Sequence, residues 1–171
     1  MVAQVVLALL VVLAAAQVPR APFVATPPDV VDRMLALAGV TKNDVVYDLG
    51  CGDGRIVIAA AEKFGARGVG IDIDPVRVAE AQRNAARAKV EHLVTFRVED
   101  ALATDVSGAS VVTLYLLASQ NVALKPALMK QLRPGARVVS HNFAMGDWEP
   151  DVVDTFTSAD GQTRTLYLWK R

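Results

Sequence analysis

Acidic residues and glycines recur in the first two thirds of this 171-residue chain at spacings that limit the chemistry open to them. The run Asp48-Leu49-Gly50-Cys51-Gly52-Asp53-Gly54 sets glycines at alternating positions. Such a run lets the backbone turn sharply and lets a ligand approach main-chain atoms with no Cβ in the way. The spacing is G-x-G-x-G, so the last glycine falls one position too early for the G-x-G-x-x-G that cradles a pyrophosphate. Asp48 and Asp53 would also repel a pyrophosphate; they suit a ligand with a positive amine and a sulfonium. Asp72 follows eighteen residues after Gly54, where a carboxylate can accept hydrogen bonds from two ribose hydroxyls. Glu99-Asp100-Ala101 comes next, with an acid that can meet an adenine amino group. No G-x-x-x-x-G-K-[ST] run occurs, which excludes a P-loop nucleotide hydrolase.

These residues need a scaffold that ends several strands at one place. The β-branched run 45–49 predicts a buried strand leading into the glycine turn at 50–54, and the alanine-rich run 55–64 predicts a helix packed closely on a sheet. Further strands are expected at 68–73, 94–98, 110–117 and 136–141, and further helices at 29–38, 75–89 and 121–132. Pro28 fits the first turn of the first helix, and Asp74 caps the helix that Pro75 begins. Residues 151–158 and 163–169 read as two strands joined by the turn Ala159-Asp160-Gly161. Strands separated by helices imply an α/β fold with a mostly parallel sheet and right-handed crossovers, to which the tail hairpin adds an antiparallel edge strand. In such a sheet the ligand sits at the carboxyl ends of the strands, where Asp48, Asp72 and Asp100 fall.

Composition narrows the partners. Eighteen basic and eighteen acidic residues balance, which argues against a dedicated nucleic-acid clamp. The single Cys51 excludes an internal disulfide or a cysteine-built zinc site, and His92 and His141 are too few for a histidine-built metal centre. Cys51 reads as a small residue that fits its turn. Residues 1–18 carry no charged side chain and are apolar all round. About 17 such residues span roughly 25 Å as a helix, slightly short of a bilayer core of about 30 Å. Two readings stand for residues 1–20: a signal peptide cleaved after Ala14-Ala15-Ala16, or an uncleaved membrane anchor. The domain proper is expected over 21–171, beginning with a proline-rich linker whose end packs on it.

The run Tyr47-Asp48-Leu49-Gly50-Cys51-Gly52-Asp53-Gly54, with Gly70-Ile71-Asp72 and Glu99-Asp100-Ala101, resembles the class I S-adenosylmethionine (SAM)-dependent methyltransferases over roughly 23–171. The resemblance implies a Rossmann-like sheet of seven strands, the last antiparallel, with helices on both faces. It implies SAM as cofactor, with no metal. The implied contacts come from Asp48, Gly50, Cys51, Gly52 and Gly54, from Asp72 and Ile73, and from Glu99, Asp100 and Ala101. A narrower resemblance rests on Val112-Thr113-Leu114-Tyr115-Leu116-Leu117, on Arg137-Val138-Val139-Ser140-His141-Asn142-Phe143 and on Asp147-Trp148-Glu149-Pro150. These look like the membrane-associated protein-lysine methyltransferases, which include the enzymes that modify the ATP synthase c-subunit and the adenine nucleotide translocase. Thr26-Pro27 resembles that family's cofactor-proximal N-terminal segment. The implied partner is a protein lysine, a membrane protein among the candidates.

On the acceptor side, Tyr115 is expected to wall the pocket, and His141 or Asn142 to orient the acceptor. Asp147, Trp148 and Glu149 are expected to form an acidic, aromatic lip that attracts a lysine. Each has a plainer reading: Tyr115 as sheet packing, His141 as an interior histidine, Trp148 as a plug over the sheet end, and Arg77, Arg83, Arg87 and Lys89 as a solvated helix face. The absence of an Asn/Asp-Pro-Pro-Tyr motif argues against a typical adenine or glutamine N-methyltransferase. A small-molecule methyltransferase and a non-catalytic SAM-binding module are the alternatives. SAM is made in the cytoplasm, so a membrane-associated domain facing that side is expected, with export after cleavage near Ala16 as the other outcome.

Overall fold

A computed structural model describes residues 23–171; the expected leader over 1–20 lies outside them. The elements run α1 (Pro28–Leu37), β1 (Val45–Leu49), α2 (Arg55–Phe64), β2 (Arg67–Asp72), α3 (Pro75–Arg87) and β3 (Val94–Val98). A short 3-10 turn (Ala101–Ala103) precedes β4 (Val111–Leu114), α4 (Ala118–Gln131), β5 (Arg137–His141), β6 (Val152–Thr157) and β7 (Thr163–Lys170). The strands form one seven-stranded sheet in the order β3-β2-β1-β4-β5-β7-β6. The five strands β1 to β5 are parallel, and β7 is antiparallel to both of its neighbours. Strand order reverses between β1 and β4, which opens a crevice at their carboxyl ends.

Alternation along the strands divides the core. Val46, Val111 and Val139 pack with α1, α2 and α3, where Ile56, Val57, Ala60 and Ala61 are buried. Tyr47, Leu49, Val112, Leu114 and Val138 pack on the other face with Leu124 and Leu128 of α4 and with Trp169. Helices therefore cover both faces. Each fully buried Val, Leu or Ile contributes about 1.5–3 kcal/mol. Gly70 on β2 lets the layers close: a Cβ there would lie 2.5 Å from the Phe96 ring and 2.9 Å from Cys51 Sγ.

The tail hairpin supplies the expected antiparallel edge strand, and two element boundaries differ from the sequence reading for physical reasons. β7 buries Leu166, Leu168 and Trp169 and takes the inner place, whereas β6 is mostly exposed and takes the edge. β4 ends at Leu114 rather than at 117, because the chain leaves the sheet there to wall the crevice. α4 begins at Ala118, three residues before the expected start, because the Leu117 carbonyl already accepts from Gln120 N and Asn121 N at 2.9 and 3.1 Å.

Candidate active site

The loop after β1 is held open by backbone geometry. Gly50, Gly52 and Gly54 have φ of 83°, 53° and 80°, a region that side-chain-bearing residues seldom occupy. Gly50 N and Cys51 N both donate to the Ile71 carbonyl at 2.8 Å, which pins the loop to β2. Asp72, at the end of β2, accepts from Gly52 N through Oδ2 at 2.8 Å and from Asp74 N through Oδ1 at 2.9 Å. Its carboxylate is thus fixed between the loop and the start of α3, which Asp74 caps by accepting from Val76 N at 2.8 Å.

The N-terminal segment crosses over this loop. A Cβ on Gly52 would lie 2.2 Å from the Phe23 ring. Arg55, the first residue of α2, donates to Asp53 (Nη2 to Oδ2, 2.6 Å) and to the Thr26 carbonyl (Nη1, 2.8 Å). Arg77 of α3 lays its guanidinium 3.9 Å from the centre of the Phe23 ring. Beneath lies a cleft of about 250 Å³, walled by residues 23–26 on one side and by Tyr115, Leu116 and Gln120 on the other. Asp48, Asp53, Asp72, Asp74 and Asp100 line it, against two guanidiniums, Arg55 and Arg77.

Burial and charge pairing together set the protonation of this lining. It pushes the Asp48 carboxyl up to about 7, with Asp72 and Asp53 adding repulsion and the Thr113 hydroxyl, 2.7 Å away, opposing it. Burial also raises Asp53, but its hydrogen bonds and charge pairing with Arg55 outweigh this and hold it below the usual carboxylate range. Cys51 is buried and its thiol is pushed up, first by desolvation and then by Asp48 and Asp72, so it carries no reactive thiolate.

Of the expected cofactor residues, Thr26, Asp48, Gly50, Cys51, Asp72, Ile73, Asp100 and Ala101 line the cleft, and Tyr115 joins them. Gly52 and Gly54 do not line it; Gly52 acts through its N–H on Asp72, and Gly54 N closes the turn onto the Cys51 carbonyl at 2.9 Å. Glu99 lies outside the lining, 3.7 Å from Arg97. His141 is wholly buried behind Tyr115, their ring centres 3.9 Å apart. Neither ring nitrogen has a hydrogen-bond partner among the described residues, and burial, with Arg164 nearby, pushes the imidazole down to about 4. Asn142, at φ 64°, exchanges bonds with Thr165: its N donates to the carbonyl at 2.7 Å and its Oδ1 accepts from the amide at 3.0 Å. Asp147 is 91% exposed and pairs with Lys125 at 2.7 Å. Trp148 packs on Trp169 with ring centres 5.8 Å apart, and neither Asp147 nor Trp148 lines the cleft.

Four contributors were not legible as site residues. Thr113 had a signal: it is a hydroxyl on a buried strand, in register with Asp48. Arg55 had a weaker one, a charge directly after the loop that opens a helix whose next six residues are apolar. Phe23 and Arg77 had none, since their meeting depends on the path of the chain across α3.

This lining fits SAM. Asp72 is oriented by two backbone amides and still has lone pairs for a ribose diol. Ile71, Ile73, Ala101 and Leu116 provide apolar walls, and the surplus of carboxylates favours a cationic ligand. Comparison with known proteins agrees. The ANTKMT methyltransferase domain model matches residues 48–152. A protein-lysine N-methyltransferase of Saccharolobus islandicus (strain REY15A) is 44% identical over 154 residues, covering 89% of this chain and 94% of that one. The adenine nucleotide translocase lysine N-methyltransferase of Mus musculus is 31% identical over 134 residues, and the match spans 78% of this chain but 58% of that one. A crystal structure described as an RNA methyltransferase from Salinibacter ruber in complex with S-adenosyl-L-homocysteine superposes with a TM-score of 0.81 at 55% identity. It covers 86% of this chain and 93% of its own. The chain belongs to the ANTKMT methyltransferase domain family and is a methyltransferase that uses S-adenosylmethionine.

Proposed function

We propose that the acceptor is a protein lysine. The observation that carries this reading is Tyr115, which lines the cofactor cleft while stacking on His141 at 3.9 Å and on Phe143 at 6.4 Å. An aromatic wall beside a negatively charged cleft suits an alkyl ammonium, which packs its chain on ring faces and is drawn by the carboxylates. The names of the archaeal and mouse relatives support the same class. Bound SAM supplies an electrophilic methyl on a sulfonium. The chain's own residues align the amine and exclude water from it. Desolvation beside positive charge favours the neutral amine, the form that can attack. Tyr115 orients the amine, and His141 acts as a positioning residue that holds the Tyr115 ring. Asn142 fixes the end of β5 against β7.

A second reading has one observation behind it, the description of the Salinibacter ruber relative as an RNA methyltransferase. Zero net charge and the five carboxylates at the cleft favour the lysine. Labelling of cell extract with radioactive methyl-SAM separates the two: protease-sensitive, RNase-resistant label with methyl-lysine in the hydrolysate is expected. RNase-sensitive label would overturn the lysine reading. We extend the proposal to location: residues 1–20 keep the domain at a membrane on the side that contains SAM. A mature protein beginning at Gln17 would contradict this.

A further inference from the structure

We propose that Asp48 is a proton-exchange site: at mildly acidic pH its carboxyl is neutral in the free enzyme and gives its proton to solvent when the cationic cofactor enters the cleft. Asp48 is the penultimate residue of β1, inside the sheet and 3% exposed, with its side chain at the cleft. Among the described residues its side-chain partner is the Thr113 hydroxyl of β4 at 2.7 Å, a group that can donate to a carboxylate or accept from a carboxylic acid.

The surroundings favour the acid while the cleft lacks a cation. Facing Asp48 are Asp72 from the end of β2 and Asp53 and Cys51 from the glycine loop. Asp100 after β3 and Tyr115 after β4 complete the titratable groups of the lining, with Asp74 at the start of α3. The cations of the lining are engaged elsewhere. Arg55 of α2 binds Asp53 and the Thr26 carbonyl, and Arg77 of α3 binds Glu80 and lies on Phe23. An ionised Asp48 would therefore stand in low dielectric among like charges, which is why burial moves its titration to about 7. A sulfonium and an ammonium entering the same cleft reverse that preference. The atoms balance simply: the O–H bond of the carboxyl breaks, the electron pair stays on the oxygen, and the proton leaves to water. The product lacks the sulfonium charge, so it holds the ionised form less strongly, and Asp48 regains its proton from water as the product leaves.

Calorimetric titration with SAM, in two buffers of different ionisation enthalpy, reads the proton directly. For a group titrating at about 7, about 0.9 proton should leave per SAM at pH 6 and about 0.1 at pH 8, and affinity should rise about tenfold between them. The cofactor's own amine titrates too, so the Asp48 contribution is the difference between wild type and Asp48→Asn, in which the release at pH 6 and the tenfold rise should vanish. S-adenosylhomocysteine should release fewer protons than SAM. Infrared difference spectra of the wild type provide a readout that does not depend on the variant folding: a protonated-carboxyl band should disappear on SAM binding. No such band, or equal proton release in wild type and Asp48→Asn, would overturn the proposal. Binding of SAM without proton release would leave the cofactor assignment standing and remove this one.

Discussion

At the β1–β2 end of the cleft, Asp72 is held by two backbone amides, the glycine loop is tied to Ile71, and Arg55 ties the loop to the N-terminal segment. At the β4–β5 end, His141 has two nitrogens without partners and Asn121 Oδ1 has none, all buried among the described residues. Tyr115 there is held by ring stacking. The first end is specified by hydrogen bonds and permits little movement. The second adds ring packing to the hydrogen bonds of Asn121 and Asn142 and leaves polar groups without compensation, each at a cost of about 1–3 kcal/mol. A cofactor that is the same in every turnover suits the first arrangement. An acceptor that must enter and leave suits the second.

The largest effect should come from Asp72→Ala, which removes the support of Gly52 and Asp74 together with the expected ribose contact. Two charge-assisted hydrogen bonds at about 1.5–3 kcal/mol each predict at least a hundredfold loss of SAM affinity by calorimetry. A loss under threefold would break the contrast. Next, Tyr115→Ala should lower methyl transfer about tenfold or more while SAM affinity changes at most about threefold, since the ring walls the cleft without fixing the cofactor. Equal losses would merge the two ends into one.

Acidity should then separate them by sign. His141 titrates lower in the fold, about 4, than in the open chain. Unfolding takes up its proton between those values, so stability should fall as pH drops from about 6.5 to about 4. Asp48 titrates higher in the fold, about 7 against 3.8, so its contribution should fall as pH rises through that window. Thermal denaturation without SAM should show His141→Phe losing the first slope and Asp48→Asn the second. If both variants shift the profile in one direction, the electrostatic contrast fails. The smallest effect belongs to Asp147→Asn, an exposed partner of Lys125 away from the cleft, which should leave SAM affinity and melting temperature unchanged. A raised KM for the acceptor would extend the acceptor surface onto the loop after β5.

The same division governs what could be read in the chain. Strand 45–49 and helix 55–64 fall where β-branched and alanine-rich runs are bounded by Asp44, Gly50 and Gly65, because local propensity and burial agree there. The cofactor end follows from the same local rules: a positive-φ loop needs glycines, and the acid sits at the end of the next strand. The acceptor end does not. Tyr115 looked like strand, since Val111-Val112-Thr113-Leu114 and Leu116-Leu117 continue the pattern around it, yet the chain turns away at Leu114. α4 begins directly beyond that turn, with the Leu117 carbonyl accepting from Asn121 N at 3.1 Å, and the Asn121 side chain ties the helix to β5 by donating to Ser140 Oγ and the Phe143 carbonyl at 3.0 Å. The place of β7 between β5 and β6 was likewise a matter of which strand buries more apolar surface, a comparison across the whole tail.

A crystal structure with S-adenosylhomocysteine bound tests the division most directly. The ribose hydroxyls should lie within hydrogen-bond distance of Asp72, the adenine beside Ala101, and the sulfur toward Asp48 with the Tyr115 ring on the open side. A ribose held by other residues, or a sulfur screened from Tyr115 by the protein's own side chains, would contradict it.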